Sequence, residues 1–542
     1  MRSGRYLYAG ALVVALVVGL GLWKPTHVKA DRDHAPKFRV DASWPHELPA
    51  PAGYNYLSWP TPGGFPEAKT PTGTYDATYN DTANRWVQGE VAGSCIDQWD
   101  NVYTFNRAWE TGVGAAVNGT VPNSESGAID GNDATAAHAL PSPPVVAFTP
   151  DGKVIQSRSF GNPTLHLVAG TYGAYTGTAG VGRSAYMPHG AHGCFVDYKG
   201  NLWVGGNGDG IVQEYNPAVA GPAGAGAAYS LQIGTKDQCD TTTGICGATA
   251  NNSSQVLLNE PPDIAVDPEV GPVSGKRGDI YIADGYGNYR VVVFNPALAS
   301  TSNPYGYVGQ WGQVCVNGGT GVEVPNGTDT PGNPCPLNSF GATGGGHPHC
   351  VVLGNDGNVY LCDRPNSRIL VIGKTSTWIQ PSTGTGCTSV PATPATCTAP
   401  TPAAPIRAIY IGTNGYTFPS TANPAKVAAL LSSGTRACDM DLYPNVDYLA
   451  STSPTHQKYI VNVALDVDNV FLLDKSSGDV LSSIGKCGIA PCPGHNAGEF
   501  AYSHTGASDS KGNVYVAETI TGRRIQKFVP VDDDDHYDRD HH

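Results

Sequence analysis

The chain has 542 residues; Gly (68) and Pro (43) make up about a fifth of it, and charged residues only 14%. That composition excludes a coiled coil or long-helix protein, while 40% hydrophobic content and 27 tyrosines exclude wholesale disorder. A formal net charge of −14 argues against a nucleic-acid partner, because phosphate contacts need a basic face.

Arg2 and Arg5 precede an apolar run from Tyr6 to Trp23, and Val28-Lys29-Ala30 forms a small-x-small cleavage site before Asp31. This layout predicts a secretory signal over residues 1–30 and hence a secreted or periplasmic protein. Left uncut, the same segment would be a membrane anchor. Residues 31–85 read as an extended, Pro-rich lead-in, in which Phe38-Arg-Val-Asp-Ala-Ser-Trp44 is suited to add a closing strand to a sheet.

From residue 86 to 530 one strand pattern recurs six times, as Asn or Asp, an aliphatic residue, then an aromatic. It begins at Asn101, Asn201, Asp279, Asn358, Asn469 and Asn513. Most copies follow an apolar run and a tight turn, as in Lys199-Gly200, Asp356-Gly357 and Lys511-Gly512, and a third strand often follows, at Arg290–Phe294, Arg368–Ile372 and Arg524–Phe528. One such unit cannot bury both faces of its sheet, but six packed radially can. The expected fold is all-β, a six-bladed β-propeller with long loop insertions at 216–256, 315–346 and 375–405; an array of β-sandwiches is the competing fold. The shortest interval between anchors, 44 residues, reads as a blade free of insertions. Residues 531–542 form an acidic tail containing His, read as solvated, with loose metal capture as the other reading.

Thirteen cysteines in an exported chain predict disulfides. The pairs close in sequence are Cys239 with Cys246, Cys315 with Cys335, Cys387 with Cys397 and Cys487 with Cys492. The odd total leaves at least one thiol over, and no CxxC or CxxCH spacing supports a zinc ribbon or c-type haem.

Three histidines share a structural address. His349 and His504 each lie nine residues before their anchor, and His189, in Met187-Pro-His-Gly190, lies twelve before Asn201. Each falls where the chain begins an innermost strand, beside the central channel. They belong to alternate blades, two, four and six, while blades one, three and five place Ala92, Pro262 and a segment near Ile460 there. Three imidazoles would then converge on the axis with a fourth position open, the arrangement of a catalytic zinc site. His192 and His347 are the neighbours that would serve if the register shifts. Six residues beyond the anchors of blades one and four stand Arg107 and Arg364, facing each other across a six-fold ring as a bidentate clamp for a carboxylate. Tyr286 follows Asp284-Gly285 in blade three and would act as a general acid or base if a nearby cation lowered its pKa.

Tyr-Ile-Ala-Asp-Gly-Tyr-Gly-Asn-Tyr-Arg-Val-Val-Val-Phe at 281–294 resembles the catalytic-tyrosine segment of peptidyl-α-hydroxyglycine α-amidating lyases, a family of NHL-repeat propellers. In chain order, Val91 through Arg107, Met187–Gly190, Pro348 through Arg364, and Ser503-His504 followed by Asn513-Val-Tyr-Val resemble its other active-site segments, over about residues 86–530. The resemblance implies zinc on His189, His349 and His504, with Tyr286 as base. Arg107 and Arg364 would serve the substrate carboxylate and the phenolate. The reaction would cleave a carbinolamide C–N bond to a peptide amide and glyoxylate, so the partner would be a small peptide or carbinolamide. Tyr502 and Thr505 stand where the family has Met and an acidic calcium ligand; main-chain oxygens of Ser94 and Ala191 match the remaining calcium positions. Two other functions are weighed: a non-catalytic secreted propeller binding a protein or glycan through its loops, and a calcium lactonase-type propeller, which requires an acidic cluster in the channel.

Overall fold

A computed structural model describes residues 35–48, 86–107, 140–160, 188–217, 229–314, 339–341, 347–374, 407–411, 437–444, 457–488 and 493–531, apart from isolated positions that include His189. The ring described below lies wholly within the compact unit Lys37–His542. The signal segment, residues 375–405, the three Cys pairs beyond position 300 except Cys487, and the acidic tail past Val531 lie outside the described residues. No helix among the described residues is long and apolar enough to cross a membrane.

The protein is an all-β propeller of six blades. Blade one is three-stranded, with Glu90–Ile96 innermost, then Val102–Arg107 and Val145–Phe148; the others are four-stranded. Their innermost strands are Ala191–Val196, Asp263–Val266, Val351–Leu353, Asp439–Tyr443 and Ser503–Ser508. Lys37–Val40 closes the ring as expected, pairing antiparallel with Arg524–Val531 as the outer strand of blade six. Trp44, just beyond it, packs on Phe148 of blade one and Tyr515 of blade six, with ring centroids 5.4 and 4.9 Å away.

The apolar core lies between blades. Trp203 and Val212 of blade two meet Ile264, Ile282 and Val292 of blade three. Ile369 and Val371 of blade four meet Met440, Leu442 and Phe471 of blade five. Sheets covered on both faces need no polar alternation, which explains strands such as Arg290-Val-Val-Val-Phe294, buried throughout.

The recurring turn has a physical cause. Asp197 Oδ1 accepts hydrogen bonds from the backbone N–H of Lys199 and Asn201, at 2.8 and 2.9 Å. Asp509 does the same for Lys511 and Asn513. The residue before the anchor has a positive φ, met by Gly at 200 and 512 (81° and 82°) and by Asp100 in blade one (65°).

Two expectations are corrected. Asn469–Asp474 is the third strand of blade five, not its second; Tyr459–Ala464 is the second and Asp439–Tyr443 the innermost. The 44-residue interval is therefore short because it starts one strand later. The stretch 216–256 also contains a blade strand, Tyr229–Gly234, besides the Cys239–Cys246 disulfide.

Candidate metal and catalytic site

Three imidazoles do converge at the start of the innermost strands of alternate blades. They belong to His192, His349 and His504, all buried, with ligand atoms within 4.8 Å of one another. His192 was the alternative to His189, which lies outside the described residues. A signal for it existed: His192 stands nine residues before Asn201, the spacing shared by His349 and His504, while the Pro-His-Gly turn singled out His189.

The odd blades complete the arrangement through their backbones. His192 Nδ1 lies 3.1 Å from the carbonyl oxygen of Pro262, His349 Nδ1 2.5 Å from that of Cys438, and His504 Nδ1 2.7 Å from that of Ala92. Each imidazole thus bonds the next blade round the ring. A carbonyl only accepts, so each Nδ1 carries the proton and each Nε2 keeps its lone pair, the state a metal-binding imidazole requires. Cys438 is the blade-five counterpart of Ala92 and Pro262. The register error at Asn469 hid it, and among the described residues it is the one cysteine not joined in a disulfide.

Burial, reinforced by neighbouring imidazoles and by Arg107 and Arg364, holds His192 well below the ordinary histidine range. Burial, then Arg364, does the same to His349. Burial, then Arg107 and Arg364, pushes His504 down to about 3. Three neutral nitrogen donors held by backbone carbonyls fit a borderline-soft divalent ion such as zinc.

Tyr286 reaches this hub. Its hydroxyl lies 3.2 Å from His192 Nε2 and 3.1 Å from His349 Nε2. The loop carrying it is fixed by Tyr286 N–H to the Glu260 oxygen at 3.1 Å and His347 N–H to the Gly285 oxygen at 2.6 Å. A Cβ on Gly285 would meet the Pro348 oxygen at 1.8 Å, so only glycine permits this approach. The expected lowering of the phenol's pKa is overridden: burial raises it, against the opposing Arg364 and Arg107 guanidiniums. Asn207 lies six residues past its anchor, on the same register as Arg107 and Arg364, and escaped notice because an amide suggested no chemistry.

Arg107 Nε donates to the Ala191 oxygen at 2.9 Å and its Nη2 to the Gly190 oxygen and Asn207 Oδ1 at 3.3 and 3.2 Å, while Nη1 is 3.6 Å from Glu90. It fixes the start of blade two. A guanidinium on the Ala191 oxygen also opposes a cation there. Ser94 Oγ meets Thr505 Oγ1 at 3.2 Å. This set does not fit calcium.

Beneath the imidazoles the channel opens into a cavity of about 330 Å³ lined by Asp263, Asp439 and Asp441 among others. The channel thus does hold carboxylates, as the calcium lactonase-type alternative requires. Their bonds assign them to ring closure: Asp263 accepts from Val351 N–H, Asp439 from Gly506 N–H, and Asp441 from the N–H and hydroxyl of Ser508. The Cys95–Cys194 disulfide joins blades one and two in the same way. It and Cys350–Cys362 were missed because their partners are remote or lie on adjacent strands. Disulfides fit an oxidising compartment.

Burial raises Asp439 to about 7 and Asp441 to about 6, and burial with its charged neighbour Asp439 raises Asp263. A raised carboxyl contributes stability that is lost as pH rises through its folded-state value. The depressed histidines contribute stability lost as pH falls below about 6.5. Asp439→Asn should gain on the wild type between pH 5 and pH 8; melting curves that stay parallel across that window would refute this.

The chain carries an NHL repeat. The family model for that repeat matches residues 346–372, from the approach to His349 into the third strand of blade four. No curated protein matches the chain. Solved structures similar to it include virginiamycin B lyase from Staphylococcus aureus, with 10% identity, TM-score 0.32, and coverage of 80% of this chain and 78% of that one. A streptogramin B lyase has 9% identity, TM-score 0.36, and coverage of 82% and 94%. A gluconolactonase from Xanthomonas campestris has 10% identity, TM-score 0.35, and coverage of 82% and 88%. Likenesses this distant carry no argument about chemistry.

Proposed function

We propose that this propeller is a zinc-dependent lyase that cleaves the C–N bond of an N-acyl-α-hydroxyglycine to an amide and glyoxylate. The observation that supports this best is the Tyr286 hydroxyl lying within 3.2 Å of two of the three imidazole nitrogens at the hub. A group that moves a proton and the donors for a Lewis acid thus share one position. His192, His349 and His504 would hold zinc, whose charge favours the substrate alkoxide and the Tyr286 phenolate. Arg364 receives the carboxylate. Tyr286 takes the proton of the substrate hydroxyl, and the electron pair left on that oxygen closes the aldehyde C=O. The C–N pair leaves with nitrogen, which takes up the proton from Tyr286, so amide and glyoxylate account for every atom. Arg107, on the Ala191 and Gly190 oxygens and Asn207 Oδ1, fixes the start of blade two.

Glyoxylate release from an N-acyl-α-hydroxyglycine tests this. The zinc-loaded protein should release it, and Tyr286→Phe should be slower by about 100-fold or more. Zinc-loaded wild type that releases no more than Tyr286→Phe would reject the activity.

A further inference from the structure

His347 has no part in the scheme above, yet its position is unusual. It is only 4% exposed, and its Nδ1 has no hydrogen-bond partner. Tyr289 covers one ring face, with centroids 4.7 Å apart and planes 13° from parallel. Its N–H bonds the Gly285 oxygen, tying it to the Tyr286 loop, and it stands two residues before His349. A buried ring nitrogen left unpaired destabilises the fold until a ligand supplies its partner.

We propose that His347 is a specificity residue, its Nδ1 hydrogen-bonding the acyl amide of a ligand whose carboxylate is received by Arg364. The choice of ligand rests on the lyase reading. The amide follows from the imidazole: a neutral ring puts either a proton or a lone pair on Nδ1, and an amide offers both a C=O and an N–H. His349 N–H bonds the Cys362 oxygen at 2.9 Å, so the antiparallel pairing that sets Val351 against Leu361 brings Arg364 to the level of Pro348 and His347. The carboxylate and the amide are thus recognised side by side, as an N-acylated amino acid presents them. With the amide fixed, an N-acyl compound is preferred over a bare carboxylate.

Calorimetric titration of the full-length protein with N-acetylglycine and with acetate tests this without turnover. Wild type should bind N-acetylglycine more tightly than acetate. His347→Phe, which keeps the ring on Tyr289, should lose about tenfold for N-acetylglycine and less than about twofold for acetate. His347→Gln should restore most of the loss. Wild type without preference for N-acetylglycine, or a preference intact in His347→Phe, would overturn the assignment; the wild-type comparison stands even if a variant fails to fold. Preferential binding without glyoxylate release would sink the lyase reading and leave this one.

Discussion

Replacing His192 with Ala is expected to take bound zinc from about one equivalent per chain to none, and glyoxylate release with it. Two imidazoles cannot close a stable site, and the change also removes the bond from His192 Nδ1 to the Pro262 oxygen. The fold should survive, because the Cys95–Cys194 disulfide and the Gly193 N–H bond to the same Pro262 oxygen at 2.6 Å still fix this strand. His189→Ala should retain the metal, since the three donors at the hub are already supplied. Measured by metal analysis after dialysis, the reverse outcome would move the site to the Pro-His-Gly turn.

Arg290→Ala should be the most destabilising single substitution, by about 3–5 kcal/mol. The side chain is fully buried in blade three, with Nε on Asp284 Oδ2 at 2.8 Å and Nη2 3.3 Å from Asp240. It also donates to the Ser254 and Leu257 oxygens and to Gln310 Oε1. Removing it leaves two buried carboxylates without their countercharge, though still hydrogen-bonded, and frees the strand end that leads into Tyr286. Arg524 makes the matching pair with Glu518 at 2.7 Å in blade six, but its side chain is 24% exposed, so water replaces part of what Arg524→Ala removes. Urea unfolding should rank Arg290→Ala well below Arg524→Ala; equal losses would contradict this account of burial.

The blades were legible because the same local physics repeats: an Asp-capped turn, a residue of positive φ, and a second strand starting at Asn or Asp. Where that signal weakened, the reading failed. Asp439–Tyr443 is separated from Tyr459 by a long connection rather than a tight turn, so blade five was begun a strand late and Cys438 went unseen. Spacing and resemblance pointed to Tyr286 and to His349 and His504, two of the three imidazoles that meet at the hub. The backbone carbonyls that orient all three imidazoles were not, because a carbonyl leaves no mark in a sequence. Nor were the acids facing Arg290, Arg368 and Arg524, although each third strand was seen to open on arginine.

X-ray absorption at the zinc edge of zinc-loaded protein tests the hub most directly. The account predicts one site with three imidazole nitrogens at about 2.0–2.1 Å and no sulfur. A sulfur shell at about 2.3 Å, which would bring in the Cys438 thiolate, or fewer than three imidazoles would contradict it.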